Sequence, residues 1–542
     1  MKKKIKYAEF PDMNTVKDIV IFGGKKGADK PQYTFYNFDG EVEMKTFAQV
    51  NYDLTGLGQY LYKLGLRGKK VAILSENSYY WIACYFSIIT GKITAVPMDP
   101  KLPDDDIIDI MIRSGCNAIY YSEDFKDTVE KMKKTDDVVI EQYIKIEDFY
   151  SMVEEGHNEV KNGVESYLED EVLPSDLAFL VYTSGTTGKS KGVMLSQENV
   201  AADSVASCRV MTGGPAIGFL PLHHAFSWVG ALFSGNLLTE WGFICRSLKD
   251  IQKDLNTYHP QNFSAVPLAV ETIYKKIWFT AKKSGREEML KKGLKISNFL
   301  LKLGIDKRRK IFSEILNNLG GNLEMIVCGG AYLDERYEKG MEAFGIKIIN
   351  GYGITECSPA VTCNRLDAYK VGSVGIPLPC NEIKIKDPDE DGIGEICVKG
   401  KNVMVGYYND PEATAEAFDG DWFLTGDYGY IDEDGFLFFK GRKKNLIILS
   451  NGKNVSPEEI EDKLSTIDYV KEVVVYEEKG YITAEFFLNT VETPDAKSRI
   501  KADVNEINRK MPSYKQVTRI KTRDNEFPKT TTLKILRDYK NK

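Results

Sequence analysis

YTSGTTGKSKG, at residues 182–192, is the stretch whose reading decides the fold of this chain. Gly185, Gly188 and Gly192 let the backbone turn tightly and come close to a ligand. Thr183, Ser184, Thr186 and Thr187 supply short hydroxyl donors, and Lys189 and Lys191 supply positive charge. LAFLVY before the run (177–182) is patterned as a buried strand, and GVMLSQENV after it also starts apolar. A loop between two such segments can turn its backbone N–H groups inward as an anion-binding nest, which is what a polyphosphate needs. It is not the P-loop of the NTPases. That motif requires Gly, four residues, then Gly-Lys-Ser/Thr, and Gly188-Lys189-Ser190 would need glycine at 183, where Thr183 stands. A plain Gly/Ser linker would not come with flanking apolar strands and paired lysines.

Outward from this loop, short apolar strand signals recur at residues 69–74, 95–98, 118–121, 217–220, 325–327 and 346–349. Helical patterns lie between several of them, as at 80–89. Strand, helix and strand in alternation predict an α/β fold with two doubly wound subdomains in a large N-terminal domain. After about residue 371 the pattern changes to strands at 383–385, 394–398, 429–432 and 436–439, separated by turn dipeptides such as Asp391-Gly392 and Asp434-Gly435. That predicts a small antiparallel, barrel-like part at about 371–440. A capped helix from Ser456, strands at 473–475 and 482–487, and a helix at about 497–509 predict a small α+β C-terminal domain. The expected division is 1–443 and 444–542.

Composition narrows the function. With 542 residues, 43% apolar and 28% charged, this is an ordinary folded chain of several domain-sized units, and a net charge of −7 argues against a nucleic-acid partner. The nine cysteines are scattered without a CxxC pair, as expected of reduced thiols in a cytoplasmic protein. Four histidines are too few for a His-rich metal site. MKKKIKYAEF at the start is basic with no apolar stretch after it, which is not a signal-peptide pattern. Residues 210–239 carry no Asp, Glu, Lys or Arg, but two prolines, His223, His224 and five glycines break any uniform apolar helix. The expectation is buried loop, strand and helix around an apolar cavity, with no transmembrane span. Residues 282–319, rich in lysine, read as a solvated amphipathic helix pair.

Further motifs fall into one order: Cys328-Gly329-Gly330-Ala331, Asn350-Gly351-Tyr352-Gly353-Ile354-Thr355-Glu356, Leu424-Thr425-Gly426-Asp427, Lys440-Gly441-Arg442 and, at 527–534, FPKTTTLK. With TSGTTG, this series resembles the adenylate-forming (AMP-binding) superfamily of acyl-CoA synthetases, nonribosomal adenylation domains and beetle luciferases. The resemblance implies two half-reactions. A carboxylate attacks the α-phosphate of ATP to give acyl-AMP and pyrophosphate, and a thiol then displaces AMP. It assigns Thr183, Ser184, Gly185, Thr186, Thr187 and Lys189 to the β- and γ-phosphates, where preorganised donors and cations lower the barrier. It assigns Thr355 to the α-phosphate and Glu356 to Mg2+, a hard cation suited to one carboxylate plus phosphate oxygens. Gly330, Ala331, Tyr352 and Gly353 would line the adenine pocket, Asp427 would accept from the ribose hydroxyls, and Arg442 would donate there. Lys534 matches the mobile catalytic lysine, with Lys529 as the competing candidate. Thr532-Leu533 stand before Lys534 where many members have Ser-Gly. Lys444, two residues after Arg442, matches the hinge about which the C-terminal domain swings, and the loop holding Lys453 would then face the thiol. Residues 501–542 carry twelve Lys and Arg against five Asp and Glu, either ordinary surface charge or an attraction for the phosphates of coenzyme A.

Leu220-Pro221-Leu222-His223-His224 matches the family motif that closes over the carboxylate, with His224 in the usual position. An amino-acid substrate would need an acidic partner for its ammonium, since an unpaired buried charge is costly, and residues 204–239 offer none. Phe226, Trp228, Val229, Leu232 and Phe233 are apolar instead. Each buried CH2 contributes about 0.8 kcal/mol, so such a surface favours an alkyl chain. Trp228 resembles the gate tryptophan of long-chain fatty acyl-CoA synthetases. The expected activity is a long-chain fatty acid–CoA ligase that forms AMP, with ATP, Mg2+ and coenzyme A, in the cytoplasm or peripheral at the inner membrane face. Transfer to a separate acyl carrier protein, or a non-catalytic nucleotide- or acyl-binding relative, are the alternatives.

Overall fold

The computed structural model describes residues 9–162, 167–183, 190–245, 251–448, 454–529 and 535–537. The chain has a mixed α/β fold of two compact units, Met1–Ile383 with Val398–Phe423, and Lys384–Cys397 with Leu424–Lys542. Residues 384–397 and 424–443 thus cluster with the C-terminal residues.

The first unit is built on two sheets. The seven-stranded sheet runs in the order Gly406–Tyr407, Lys191–Ser196, Leu177–Thr183, Thr94–Pro97, Lys70–Leu74, Ala118–Tyr121, Gln142–Lys145. Its strands from Leu177–Thr183 to Gln142–Lys145 are parallel, while Lys191–Ser196 and Gly406–Tyr407 close one edge antiparallel. These strands are near-continuous apolar runs because helices cover both faces of a parallel sheet. The helix Tyr79–Ile89 is buried along its whole length between such layers. Its N-cap Ser78 accepts from Trp81 N. The nine-stranded sheet has Lys347–Gly353, Met325–Cys328, Asn262–Ala265, Ala216–Gly218, Gly242–Ile244 and Pro31–Tyr36 in parallel at its centre. Its core holds Ile217, Phe263, Ile326 and Ile348 against Val270, Tyr337 and Met341 of the covering helices.

Residues 210–239 form the short strand Ala216–Gly218, a helical turn at Ala225–Ser227, the π-helical Trp228–Phe233 and the helix Ser234–Leu238. This matches the expected mixture of loop, strand and helix. Among the described residues no helix is long and apolar enough to cross a membrane.

The second unit contains an antiparallel pairing of Asp427–Ile431 with Leu437–Arg442. Asp432 Oδ1 accepts from the N–H groups of Asp434 and Phe436, at 3.1 and 2.9 Å, and Gly435 has φ +83°, so Asp434-Gly435 does form the turn. Beyond it, Val470–Glu478, Tyr481–Leu488 and Arg519–Arg523 form a three-stranded sheet. Helices Pro457–Leu464 and Ala496–Asn508 pack on it through Ile460, Leu464, Ile500 and Val504. Ser456 caps the first of these helices and Pro457 stands at its first turn, as expected from their order.

Candidate active site

In an open parallel sheet, ligand groups gather beyond the carboxyl ends of the strands. In the first unit Asn77 follows Lys70–Leu74, Asp99 follows Thr94–Pro97, and Thr183 ends Leu177–Thr183. From the other sheet, residues 220–224 follow Ala216–Gly218, Gly329 and Gly330 follow Met325–Cys328, and Thr355 and Glu356 follow Lys347–Gly353.

Thr183 pairs directly with Lys191, so the two strands pin both ends of the phosphate-loop sequence. Ser184, Gly185, Thr186, Thr187 and Lys189 lie outside the described residues. The exit of the loop is anchored by Arg113, on the helix Asp104–Ser114. Its guanidinium donates to the Ser190 carbonyl at 2.7 Å and to Ser190 Oγ at 2.9 Å, and it lies 4.9 Å from the Tyr182 ring centroid. Asp109 holds the other side of the guanidinium at 2.7 Å. Next to the exit strand, Tyr407 pairs with Val193, and Lys191 Nζ stands 4.7 Å over the Tyr407 ring.

Glu356 lies in the short 3-10 turn Thr355–Cys357. Tyr407 Oη donates to Glu356 Oε1 at 3.0 Å, and the Glu356 carbonyl accepts from Met404 N at 2.8 Å. No Lys or Arg among the described residues pairs with this carboxylate, and it is half-buried. One carboxylate held by a neutral donor, and free of a competing cation, fits an Mg2+ site completed by phosphate oxygens and water. Behind it, Asn402 donates to the carbonyls of Cys357 and Ala360 at 3.0 and 2.7 Å and to Asp203 Oδ1 at 3.2 Å. Asp203 is completely buried and has no charged partner among the described residues, so burial pushes its carboxyl pKa far above the ordinary range. Gly330 has φ +85°, a left-handed conformation that favours glycine. A side chain at Gly353 would collide with the Pro359 carbonyl. Tyr352 is buried beside it.

The 220–224 turn is fixed by Asn77, which donates to the Leu220 carbonyl at 2.8 Å and accepts from Leu222 N at 2.9 Å. His223 is buried, with Nε2 3.5 Å from Asp99 Oδ1, and its ring centroid is 4.4 Å from that of His224. Asp99, His223 and His224 offer ligand atoms within 4.8 Å of one another, a grouping not expected from the sequence, where Glu356 was the metal candidate. Phe226 approaches Gly329, its ring within 3.5 Å of where a Cβ would stand. Trp228 is fully buried. Its indole N–H donates to the Leu222 carbonyl at 2.8 Å, and its ring stacks on Phe179 at 4.5 Å. Phe179 and Thr183 lie four residues apart on one strand and therefore on one face, so the aromatic segment packs against the strand that ends at Thr183.

In the second unit Asp427 and Arg442 are directly opposed in register, and Arg442 Nε stands 2.9 Å from Asp427 Oδ1. The carboxylate is buried while the guanidinium is partly exposed. Gly426 before it has φ +67°, and its N–H donates to Glu395 Oε1 at 3.1 Å. Lys444 lies in the turn Lys443–Asn445. Lys529 is paired with Glu472 at 2.5 Å and with Glu526 at 2.8 Å, which raises its pKa and commits it to a surface ion-pair cluster. Lys534 and Lys453 lie outside the described residues.

Asn77, Asp99, Arg113, Asn402 and Tyr407 were not singled out from the sequence. Each acts through a partner 45 to 145 residues away. No local spacing announces them.

The AMP-binding enzyme family matches residues 24–408, and the AMP-binding enzyme C-terminal domain matches residues 444–541. Long-chain-fatty-acid–CoA ligase 6 of Mus musculus is 30% identical over 456 residues, 78% of this chain, which spans 65% of that relative's length. A long-chain-fatty-acid–CoA ligase of Escherichia coli is 29% identical over 94% of this chain and 91% of its own. Among solved structures, the anthranilate CoA ligase AuaEII in complex with anthranoyl-AMP superposes with a TM-score of 0.77 at 21% identity, covering 98% of this chain and 97% of that one.

Proposed function

Since the chain belongs to the AMP-binding enzyme family, we propose that it activates a long-chain fatty acid with ATP and transfers the acyl group to coenzyme A. The observation that carries this reading is the convergence, in the first unit, of three parts. These are the pinned Thr183–Lys191 hairpin, the Glu356–Tyr407 pair and the His223–His224 turn, which leads into an aromatic segment stacked on Phe179.

In the first step a carboxylate oxygen bonds to the α-phosphorus as the bond to the β-phosphate oxygen breaks, releasing pyrophosphate. Thr183, Ser184, Gly185, Thr186, Thr187 and Lys189 hold the β- and γ-phosphates, and Thr355 contacts the α-phosphate. Glu356 would hold Mg2+, which would supply neutralising charge to the phosphate oxygens. Asp427 and Arg442 hold the ribose, and Lys534 adds a point charge beside the reacting carboxylate. In the second step the thiol sulfur of coenzyme A bonds to the acyl carbon, its proton is released, and AMP leaves.

The fatty substrate is supported by the aromatic, acid-free segment after His224 and by the names of the two ligase relatives. The test is ATP–pyrophosphate exchange with a panel of carboxylic acids, followed by addition of coenzyme A and detection of thioester and AMP. Exchange strongest with long-chain fatty acids is the expected result. ADP as product, or no exchange with any fatty acid, would overturn it. Lys534→Ala should abolish exchange while leaving conversion of supplied acyl-AMP to thioester.

A further inference from the structure

Glu356 offers a single carboxylate, the donor of a hard ion, whereas Asp99, His223 and His224 offer a carboxylate and two imidazoles, the donor set of zinc and its neighbours. Among the described residues no other three His, Cys, Asp or Glu side chains come together in this way. His223 is nine-tenths buried, and its Nε2 makes no hydrogen bond among the described residues although Asp99 Oδ1 stands 3.5 Å away. That separation is too long for an ordinary N–H···O bond, which spans about 2.7–3.2 Å. It is the separation of two ligands on one tetrahedral ion, roughly 3.3–3.6 Å for metal–ligand bonds of about 2.0–2.2 Å. A ring nitrogen of His224 lies within 4.8 Å of both other ligand atoms, so a movement on the order of 1 Å brings in the third ligand.

The turn that carries the histidines is held by the fold itself. Asn77 grips Leu220 and Leu222 on either side of Pro221, and His224 N–H donates to the Pro221 carbonyl at 3.1 Å. Asp99 stands just past the strand Thr94–Pro97. Its Oδ1 accepts from Lys101 N at 2.9 Å, which orients the carboxylate as outer hydrogen bonds orient metal-binding carboxylates. Ligands on a fixed turn and a strand end need little reordering to bind. Three protein ligands leave one tetrahedral position for water or for a carboxylate.

We propose that Asp99, His223 and His224 form a binding site for a divalent transition-metal ion of the zinc class, separate from the Mg2+ site proposed at Glu356. Bound there, the ion engages His224, so on the ligase reading, in which this turn closes over the acid, it inhibits adenylation. The experiment is calorimetric titration of the chelator-treated, desalted full chain with Zn2+, with Co2+ as a spectroscopic probe of the same site. One Zn2+ per chain is expected, not displaced by excess Mg2+, together with the visible spectrum of tetrahedral Co2+ on nitrogen and oxygen ligands. Loss of an outer partner alone weakens metal sites about 10- to 100-fold, so His223→Gln and Asp99→Asn, which remove ligands, should each weaken binding about 100-fold or more. Zn2+ should also raise the melting temperature of the parent more than that of either variant. Absence of Zn2+ binding by the parent would overturn the proposal, as would unchanged affinity in both variants. A thiolate-to-Co2+ charge-transfer band would overturn it too, by placing the ion on cysteine. The parent's Co2+ spectrum decides the ligand set even if a variant folds poorly. Pyrophosphate exchange is measured on the same preparations with and without Zn2+, and inhibition that persists undiminished in His223→Gln would remove the inhibitory role. Zn2+ binding without exchange on any acid would sink the ligase reading alone, and exchange without Zn2+ binding would sink this site alone.

Discussion

Tyr407 Oη donates to Glu356 Oε1 at 3.0 Å, joining residues 51 apart in the sequence. Tyr407 sits on a two-residue strand that pairs with Lys191–Ser196, the exit strand of the phosphate-loop sequence. The carboxylate proposed to hold Mg2+ is therefore tied mechanically to the segment proposed to hold the phosphates. Tyr407→Phe keeps the ring under Lys191 and removes only the donor. Hydrogen bonds to charged groups are worth about 1.5–3 kcal/mol, so kcat/KM for pyrophosphate exchange should fall roughly tenfold or more. An unchanged rate over a titration of Mg2+ would show that Tyr407 does not position Glu356.

Arg113 anchors the other end of the same segment through Ser190. Arg113→Ala should raise KM for ATP roughly tenfold with a smaller effect on kcat, because the loop loses its fixed exit while the reacting groups stay. Arg113→Lys should rescue poorly, since an ammonium cannot reproduce the planar pair of donors. Equal KM values in all three proteins would sink this role.

Trp228 is locked by its indole bond to the Leu222 carbonyl and by stacking on Phe179. Trp228→Ala should destabilise the chain by about 3–5 kcal/mol through the cavity it leaves. Trp228→Phe should retain most of the packing, costing about 1 kcal/mol for the lost hydrogen bond. Denaturant unfolding of the two variants distinguishes them. If exchange assays with Trp228→Phe also show a changed chain-length preference, the residue shapes the acyl site as well as the core.

Asp203 has a pKa raised well above the usual carboxyl range by complete burial. Between the unfolded value of about 3.9 and the folded value, the native state holds one more proton than the unfolded state. Stability from this group therefore declines as pH rises through that interval. Asp203→Asn retains an acceptor for Asn402 and carries no titrating proton. Its melting temperature should fall less steeply than that of the parent from about pH 4 upward. Parallel curves for the two proteins would contradict a neutral Asp203.

Much of this architecture was legible in the sequence, and for local reasons. The apolar runs around residues 182–192 read as strands, and they are strands paired Thr183 to Lys191. Ser456-Pro457 read as a helix start and Asp434-Gly435 as a turn, because capping and positive φ depend on residues a few positions apart. The motif order from TSGTTG to FPKTTTLK identified the family before any contact was known.

What the sequence alone determined is thus the set of elements and the family whose motifs they carry. Only the tertiary structure decided which distant side chains fix those motifs. Asn77 grips the 220–222 turn across 145 residues, Arg113 grips Ser190 across 77, and Asn402 bridges to Cys357 across 45. It also decided that Trp228 stacks on Phe179, in the strand that ends at Thr183. Periodicity reports the direction a side chain takes from its own element, whereas its partner depends on strand order and sheet packing, which no local pattern encodes.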